Sequence, residues 1–214
     1  MDRSTRFWDR VAERYAKRVI GDEAAYEKKL QVTREYFEPH MEVLELGCGT
    51  GSTAITHAPH VKHIRAIDIS SEMLAIAQDK VDAANVGNVS LEQSSIDELS
   101  VSDQTLDAVL ALSVLHLLEN KEAAIAKVHK MLKPGGVFVT STACIGDMPK
   151  YVKLIIPIGR FLGLMPLIKV FTTTGLKNSL TGAGFKIDYE WQPKKVAGLF
   201  IVAKKVHNSP TTRS

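Results

Sequence analysis

Short apolar runs alternate along this chain with stretches in which apolar residues recur at three- or four-residue spacing. The first pattern fits buried strands, the second amphipathic helices. MEVLEL, HIRAID, VSLEQ, LDAVLALS and GVFVTSTA read as strands. LDAVLALS is apolar enough to be buried on both faces. A helix to about His57 follows the first strand. SSEMLAIAQDKVDAA predicts another, with Met73, Leu74, Ala77, Val81 and Ala84 on one face. Ser70 can cap it and Glu72 suits its positive end. KEAAIAKVHKML predicts a further helix, and KPGG a turn in which proline sets the second position and glycine accepts a positive φ at the third. This rhythm implies a parallel sheet with right-handed crossovers. The end differs: FTTTGLKNSLTGAGF is a helix with a glycine stop, and KIDYEWQ and AGLFIVAKK follow it. The short PKKV link between these two predicts an antiparallel hairpin at one side of the sheet.

Ahead of the sheet, Phe7, Trp8, Val11 and Tyr15 share one helical face, as in a helix laid over something else. A second helix runs from about Glu23 to Phe37 and stops before Pro39. The most apolar segment, Val152 to Phe171, is interrupted by Lys153, Arg160, Lys169 and two prolines, so it does not read as a membrane span. The tail from Val206 is polar and expected to fray. The reading is one domain over residues 1–205, with a helical cap at 1–38 and a polar tail at 206–214.

A length of 214 residues suffices for a full core. The net charge of +3 is mild, and no Lys/Arg stripe marks a nucleic-acid binder. Cys48 and Cys144 fit no CxxC pattern and read as free thiols in a reducing compartment. The charged N-terminus shows no secretory signal, so the expected location is the cytoplasm.

The chemistry gathers around ELGCGTG, residues 45–51. A glycine loop between a parallel strand and a helix lies at the carboxyl edge of the sheet, where open α/β folds bind ligands. The dinucleotide pattern needs a third glycine where this chain has Ser52. Glu45, ahead of Gly47, Gly49 and Gly51, would repel a pyrophosphate and favour a ligand carrying an ammonium group. Asp68, ending the next strand, can accept hydrogen bonds from both ribose hydroxyls. A nucleoside with free hydroxyls and a cationic tail meets these demands, and S-adenosylmethionine is such a molecule.

Taken in order, FWDRVAERY, VLELGCGTG, AIDISSEML, LDAVLALSVLHLL, MLKPGGVFV and FTTTGLKNSLTGAGF resemble a class I S-adenosylmethionine-dependent methyltransferase, similar to the small bacterial quinone-biosynthesis type. The resemblance covers roughly Phe7 to Lys205. It implies an α/β, Rossmann-like, doubly wound sheet of seven strands, mostly parallel with one antiparallel strand, and helices on both faces. It also implies roles. The turn Gly47-Cys48-Gly49, followed by Gly51, would cradle the methionine part, with Glu45 near its ammonium. Asp68 would accept from the ribose and Ile69 cover the adenine. Ser95 and Ile96 would meet the adenine edge. The family often has GDA where this chain has Ser94-Ser95-Ile96, so a hydroxyl stands in for a carboxylate. Ser113 to His116 would form the wall beneath the sulfonium, and Tyr15 would close over the methionine part. Residues 145–172 take the place of the family's substrate cover, an apolar lid with Leu162 and Leu164 as expected acceptor contacts.

Methyl transfer needs alignment and dryness, and a general base only for a protonated acceptor. His116 is the candidate base, with Tyr151 and Asp147 behind it. Asp147 fits better as an N-cap before Met148-Pro149. Cys48 reads as a small residue tolerated in a tight loop rather than a nucleophile. His57, His60 and His63 are interrupted by Pro59 and are not read as a metal site. The expected partner is a small, apolar acceptor such as a quinone precursor, phenol, lipid or thiol, without nucleic acid. The lid's Lys and Arg residues suit weak contact with a membrane surface. A non-catalytic S-adenosylmethionine or S-adenosylhomocysteine binder, and a methyltransferase acting on RNA or protein, stay open as alternatives, with a NAD-linked enzyme more distant. The acceptor atom and oligomeric state stay open too.

Overall fold

Side chains on successive strand residues point to opposite faces, and here both sets are apolar. Val43, Ala108, Leu110, Val137, Val139, Phe200 and Val202 pack into one core layer. Their neighbours Leu44, Val109, Ala111, Phe138, Ile201 and Ala203 pack into the other. A sheet covered on both faces is the consequence. The computed structural model describes residues 3–193 and 198–206. Its strands are β1 (Glu42–Leu46), β2 (His63–Asp68), β3 (Val89–Gln93), β4 (Leu106–Leu112), β5 (Leu132–Ala143), β6 (Phe185–Trp191) and β7 (Gly198–Lys205). They form one sheet in the order β3-β2-β1-β4-β5-β7-β6. β7 runs antiparallel to both neighbours, and all other pairs are parallel. The PKKV link falls mostly outside the described residues, as does the tail beyond Val206.

The helices are α1 (Arg3–Ala16), α2 (Glu23–Arg34), α3 (Ser52–His57), α4 (Ser71–Ala83), α5 (Lys121–Met131), α6 (Lys150–Phe161) and α7 (Thr173–Gly182). Their buried faces close the two layers: Ala124, Ile125 and Val128 of α5 with Leu176 and Leu180 of α7 on one, Val32 of α2 and Ala54 of α3 on the other. Met73, Ala77 and Val81 of α4 are buried as their spacing requires, whereas Ala84 lies past the helix and is exposed. Ser70 caps α4 by accepting from the Met73 N–H at 3.1 Å.

Three local expectations change. KPGG lies within β5, where pairing jumps from Leu106↔Leu132 to Ala108↔Val137; the extra residues bulge out, with Gly135 at φ +80°. α2 ends at Arg34, before Phe37. Asp147 does not cap α6. Its carboxylate accepts the Thr173 N–H at 2.7 Å and so serves the start of α7.

The sheet order reverses between β1 and β4, which carries chain to opposite sides and leaves a crevice outside their carboxyl ends. The glycine loop, Asp68 and Ser113 all sit at that edge.

Candidate functional site

The crevice is lined by Gly47, Gly49, Asp68, Ile69, Ser95, Ile96, Ser113 and Tyr15 among the expected residues. Asp68 braces the loop: it accepts the Gly49 N–H at 2.8 Å and the Ser70 N–H at 2.9 Å. The Ile69 N–H also bonds to this carboxylate, and acceptor capacity remains for a ligand hydroxyl. A methyl group placed on Gly49 would meet only Tyr15, at 3.9 Å, so this position opens into the cleft. Gly47 differs: a Cβ there would lie 2.7 Å from Val114 Cγ2. Both have positive φ, at +62° and +53°, a region costly for residues with a Cβ.

Glu45 lies deeper than its expected role implies. It is only 2% exposed, sits beneath the loop, and does not line the cleft. Its Oε2 is buried without a hydrogen-bond partner among the described residues. Burial, and then the neighbouring Asp68, push its carboxyl up to about 8. Burial also raises Asp68, opposed by its backbone hydrogen bonds. Among the described residues, two acids therefore crowd one site without a cation as hydrogen-bond partner. A positively charged ligand would relieve both.

Cys48 and Gly51 also lie outside the lining. Cys48 packs in the core layer, its N–H bonded to Ile67 O at 3.0 Å, and burial pushes its thiol up. Gly51 caps α3, facing Ala77. The two contribute backbone path rather than contact. Ser95 lines the cleft, but its hydroxyl is already engaged: it donates to Glu98 Oε2 at 2.9 Å and accepts the Glu98 N–H at 3.2 Å. Ser-x-x-Glu is a capping-box spacing, and that signal was present in the sequence. Asp97 brings a carboxylate to the same rim.

Ser113 holds φ +63° and donates its N–H to Ser141 O at 2.6 Å, a forced turn at the end of β4. His116 lies past this turn and outside the cleft lining. Its Nδ1 is 3.2 Å from Thr142 Oγ1, and burial lowers the ring to about 4. Among the described residues no cluster of His, Cys, Asp and Glu could hold a metal ion.

The remaining wall is apolar: Trp8 from α1, Leu117 and Leu118 after β4, and Pro166 and Leu167 after α6. Leu162 and Leu164 point away, at 60% and 72% exposure. The segment after α6 meets the cleft only through Pro166 and Leu167. α1 is fastened over the opening by Asp9, which accepts the Ser70 hydroxyl at 2.7 Å and the Glu72 N–H at 3.4 Å.

Residues 43–136 match the methyltransferase domain family. The demethylmenaquinone methyltransferase of Porphyromonas gingivalis is 32% identical over 105 residues, 47% of this chain and 42% of that protein. This alignment thus covers less than half of the relative's length. An S-adenosylmethionine-dependent methyltransferase of Mesorhizobium loti superposes with a TM-score of 0.68 at 19% identity, covering 82% of this chain and 95% of that one. The [4+2]-cyclase SpnF shares the fold with a TM-score of 0.70 at 17% identity, over 84% and 80% of the two chains. With the glycine loop after β1, an acid ending β2 and a single antiparallel strand in a seven-stranded sheet, the chain has the fold of the solved Mesorhizobium loti methyltransferase, and its residues 43–136 match the methyltransferase domain family.

Proposed function

We propose that this chain transfers a methyl group from S-adenosylmethionine to a small apolar acceptor. The observation that carries the reading is the buried, unpartnered carboxyl of Glu45 beside Asp68, beneath a loop whose Gly49 position opens into the cleft. The residues present fit the cofactor. Asp68 would hold the ribose hydroxyls, the Gly47–Gly49 backbone the methionine part, and Ile69, Ile96 and the Asp97 rim the adenine. Tyr15 and Trp8 would cover it. Glu45 acts on the cationic end through its field rather than by contact.

Bound S-adenosylmethionine supplies a methyl group already activated on a sulfonium sulfur. This chain's residues then have to hold an acceptor in line and keep water out. Trp8, Leu117, Leu118, Pro166 and Leu167 give the acceptor side an apolar wall, which favours a neutral, hydrophobic molecule. The quinone named for the Porphyromonas relative is of that class. His116 is left out of proton transfer, because its ring sits outside the lining and holds a proton weakly. The fold alone does not decide the reaction, as the cyclase neighbour illustrates.

Isothermal titration with S-adenosylmethionine, S-adenosylhomocysteine and NAD is the first test. The first two should bind in the micromolar range and NAD should not; no binding of the first two would refute the reading. Asp68→Ala should weaken binding by about 1–3 kcal/mol, since hydroxyl partners lose their acceptor. It should also lower the melting temperature, because the Gly49 and Ser70 N–H groups lose theirs. Unchanged affinity would remove Asp68 from the site. With labelled donor and a quinone-like acceptor, Leu167→Ala should raise the acceptor KM several-fold more than the cofactor Kd. An equal effect on both would make Leu167 a packing residue only.

A further inference from the structure

α6 is placed against expectation for an apolar helix. Tyr151, Ile155, Ile158, Phe161, Leu162 and Leu164 are 64%, 56%, 61%, 83%, 60% and 72% exposed. The first three and Leu162 fall at helical spacing on one stripe, and the others extend it around the end of the helix. On the inner side Ile156 is buried at 6%, and Gly159 faces Met165. Exposed apolar side chains in such a continuous group mark an interaction surface.

The charge around the stripe is mostly positive. Between Asp147 and Asp188 the sequence holds no acidic residue, while Lys150, Lys153, Arg160 and Lys169 fall on α6 or the segment after it; Lys177, further on in α7, is paired with Glu190 at 3.1 Å. α1 adds Arg3, Arg6 and Arg10. Arg3 donates to Arg160 O at 2.8 Å, and Arg10 to Gly163 O, so α1 and the end of α6 share one rim. The acids nearby are Glu119, which pairs with Lys169 at 2.6 Å and Arg160 at 3.9 Å, and Asp9 and Glu13 on α1. Asp9 is turned to Ser70.

We propose that this face is a docking surface for an anionic lipid bilayer. An apolar stripe bounded by cations lies in the interface plane, its side chains in the acyl boundary and its charges among the headgroups. A second copy fits poorly, because a two-fold contact would set one cationic rim against its equal. No helix among the described residues is long and apolar enough to cross a membrane, so the contact is a peripheral one. The same segment continues to Pro166 and Leu167 in the cleft wall, which gives an apolar acceptor a short path from bilayer to site. The docking itself does not depend on the reaction.

Flotation of the full chain with phosphatidylcholine vesicles, with and without about a third of phosphatidylglycerol, tests this. The chain should float with the anionic vesicles at low salt, at least tenfold less with neutral ones, and be released by high salt. Ile158→Asp with Phe161→Asp should cut flotation at least tenfold and leave the melting temperature and S-adenosylmethionine titration unchanged. Phe161→Ser alone, at the most exposed position, should give a smaller loss and serves if the double variant does not fold. Absence from the anionic vesicles, or equal flotation on neutral lipid, would overturn the proposal. So would a concentration-dependent dimer in size exclusion that the double variant abolishes, since that would assign the face to a second copy. Flotation without cofactor binding would leave the docking surface standing and refute the reaction instead.

Discussion

Gly49→Val should abolish S-adenosylmethionine binding, a loss of at least about 100-fold, while leaving a folded protein. The Cβ position at Gly49 opens into the cleft and meets only Tyr15, so added carbons occupy ligand space rather than core. The φ of +53° adds a backbone cost on the order of 1–2 kcal/mol, which is tolerable for a domain of this size. Gly47→Ala is the contrasting substitution. Its Cβ would press on Val114 at 2.7 Å, so its first effect should be a lower melting temperature. Calorimetric titration beside thermal melts of both variants separates the two. A Gly49→Val protein that binds within threefold of wild type would show that the ligand does not pass over this loop.

Cofactor affinity should rise with pH between about 6 and 9 more steeply in wild type than in Glu45→Gln. The Glu45 carboxyl is raised to about 8, so near neutrality it is mostly protonated. A cationic ligand favours the ionised form, and binding then releases a proton. The linkage can reach about tenfold in affinity per pH unit below that value. The ligand's α-amino group titrates in the same range, so the readout is the difference between the two proteins, and the proton count can be measured by calorimetry in buffers of different ionisation enthalpy. Stability without ligand runs the other way. A folded-state value raised above the unfolded one gives a contribution present below about 4.5 and lost as pH rises through about 8. Glu45→Gln should therefore hold its melting temperature between about pH 4.5 and 8, where wild type falls. Identical pH profiles for the two proteins would mean that Glu45 does not sense the ligand.

The sheet was legible because apolar alternation on β1, β4, β5 and β7 serves two buried faces at once, and glycine, proline and capping residues divide the runs. KPGG was harder. Its turn chemistry is real, as Gly135 shows, yet the backbone stays extended enough to join β5 as a bulge. The place of the loop and Asp68 at the carboxyl edge of the sheet was legible because a glycine run after one strand and an acid ending the next both fall there. The depth of Glu45 was not, since a single acid in an apolar strand reads equally as a ligand contact or a buried charge. Ser95 was read for its hydroxyl, whereas Glu98 three residues on had already claimed it. The lid failed at the level of orientation. After α6 the chain is irregular, no period says which side chains turn inward, and Pro166 and Leu167 rather than Leu162 and Leu164 reach the cleft.

Only Ala12 of α1 is buried, and its polar links run outward to other elements: Asp9 to the cap of α4, and Arg3 and Arg10 to carbonyls near the end of α6. A piece held this way opens at a small fraction of the cost of unfolding the sheet. On the proposed reading, ligand exchange would be a peeling event confined to α1, and the residence time of a ligand in the cleft would be set there. The Asp9 link ends on Ser70, whose N–H is bonded to Asp68, so each opening also bears on the acid proposed to hold the ribose. Exit and loss of grip on the ligand are thereby one motion.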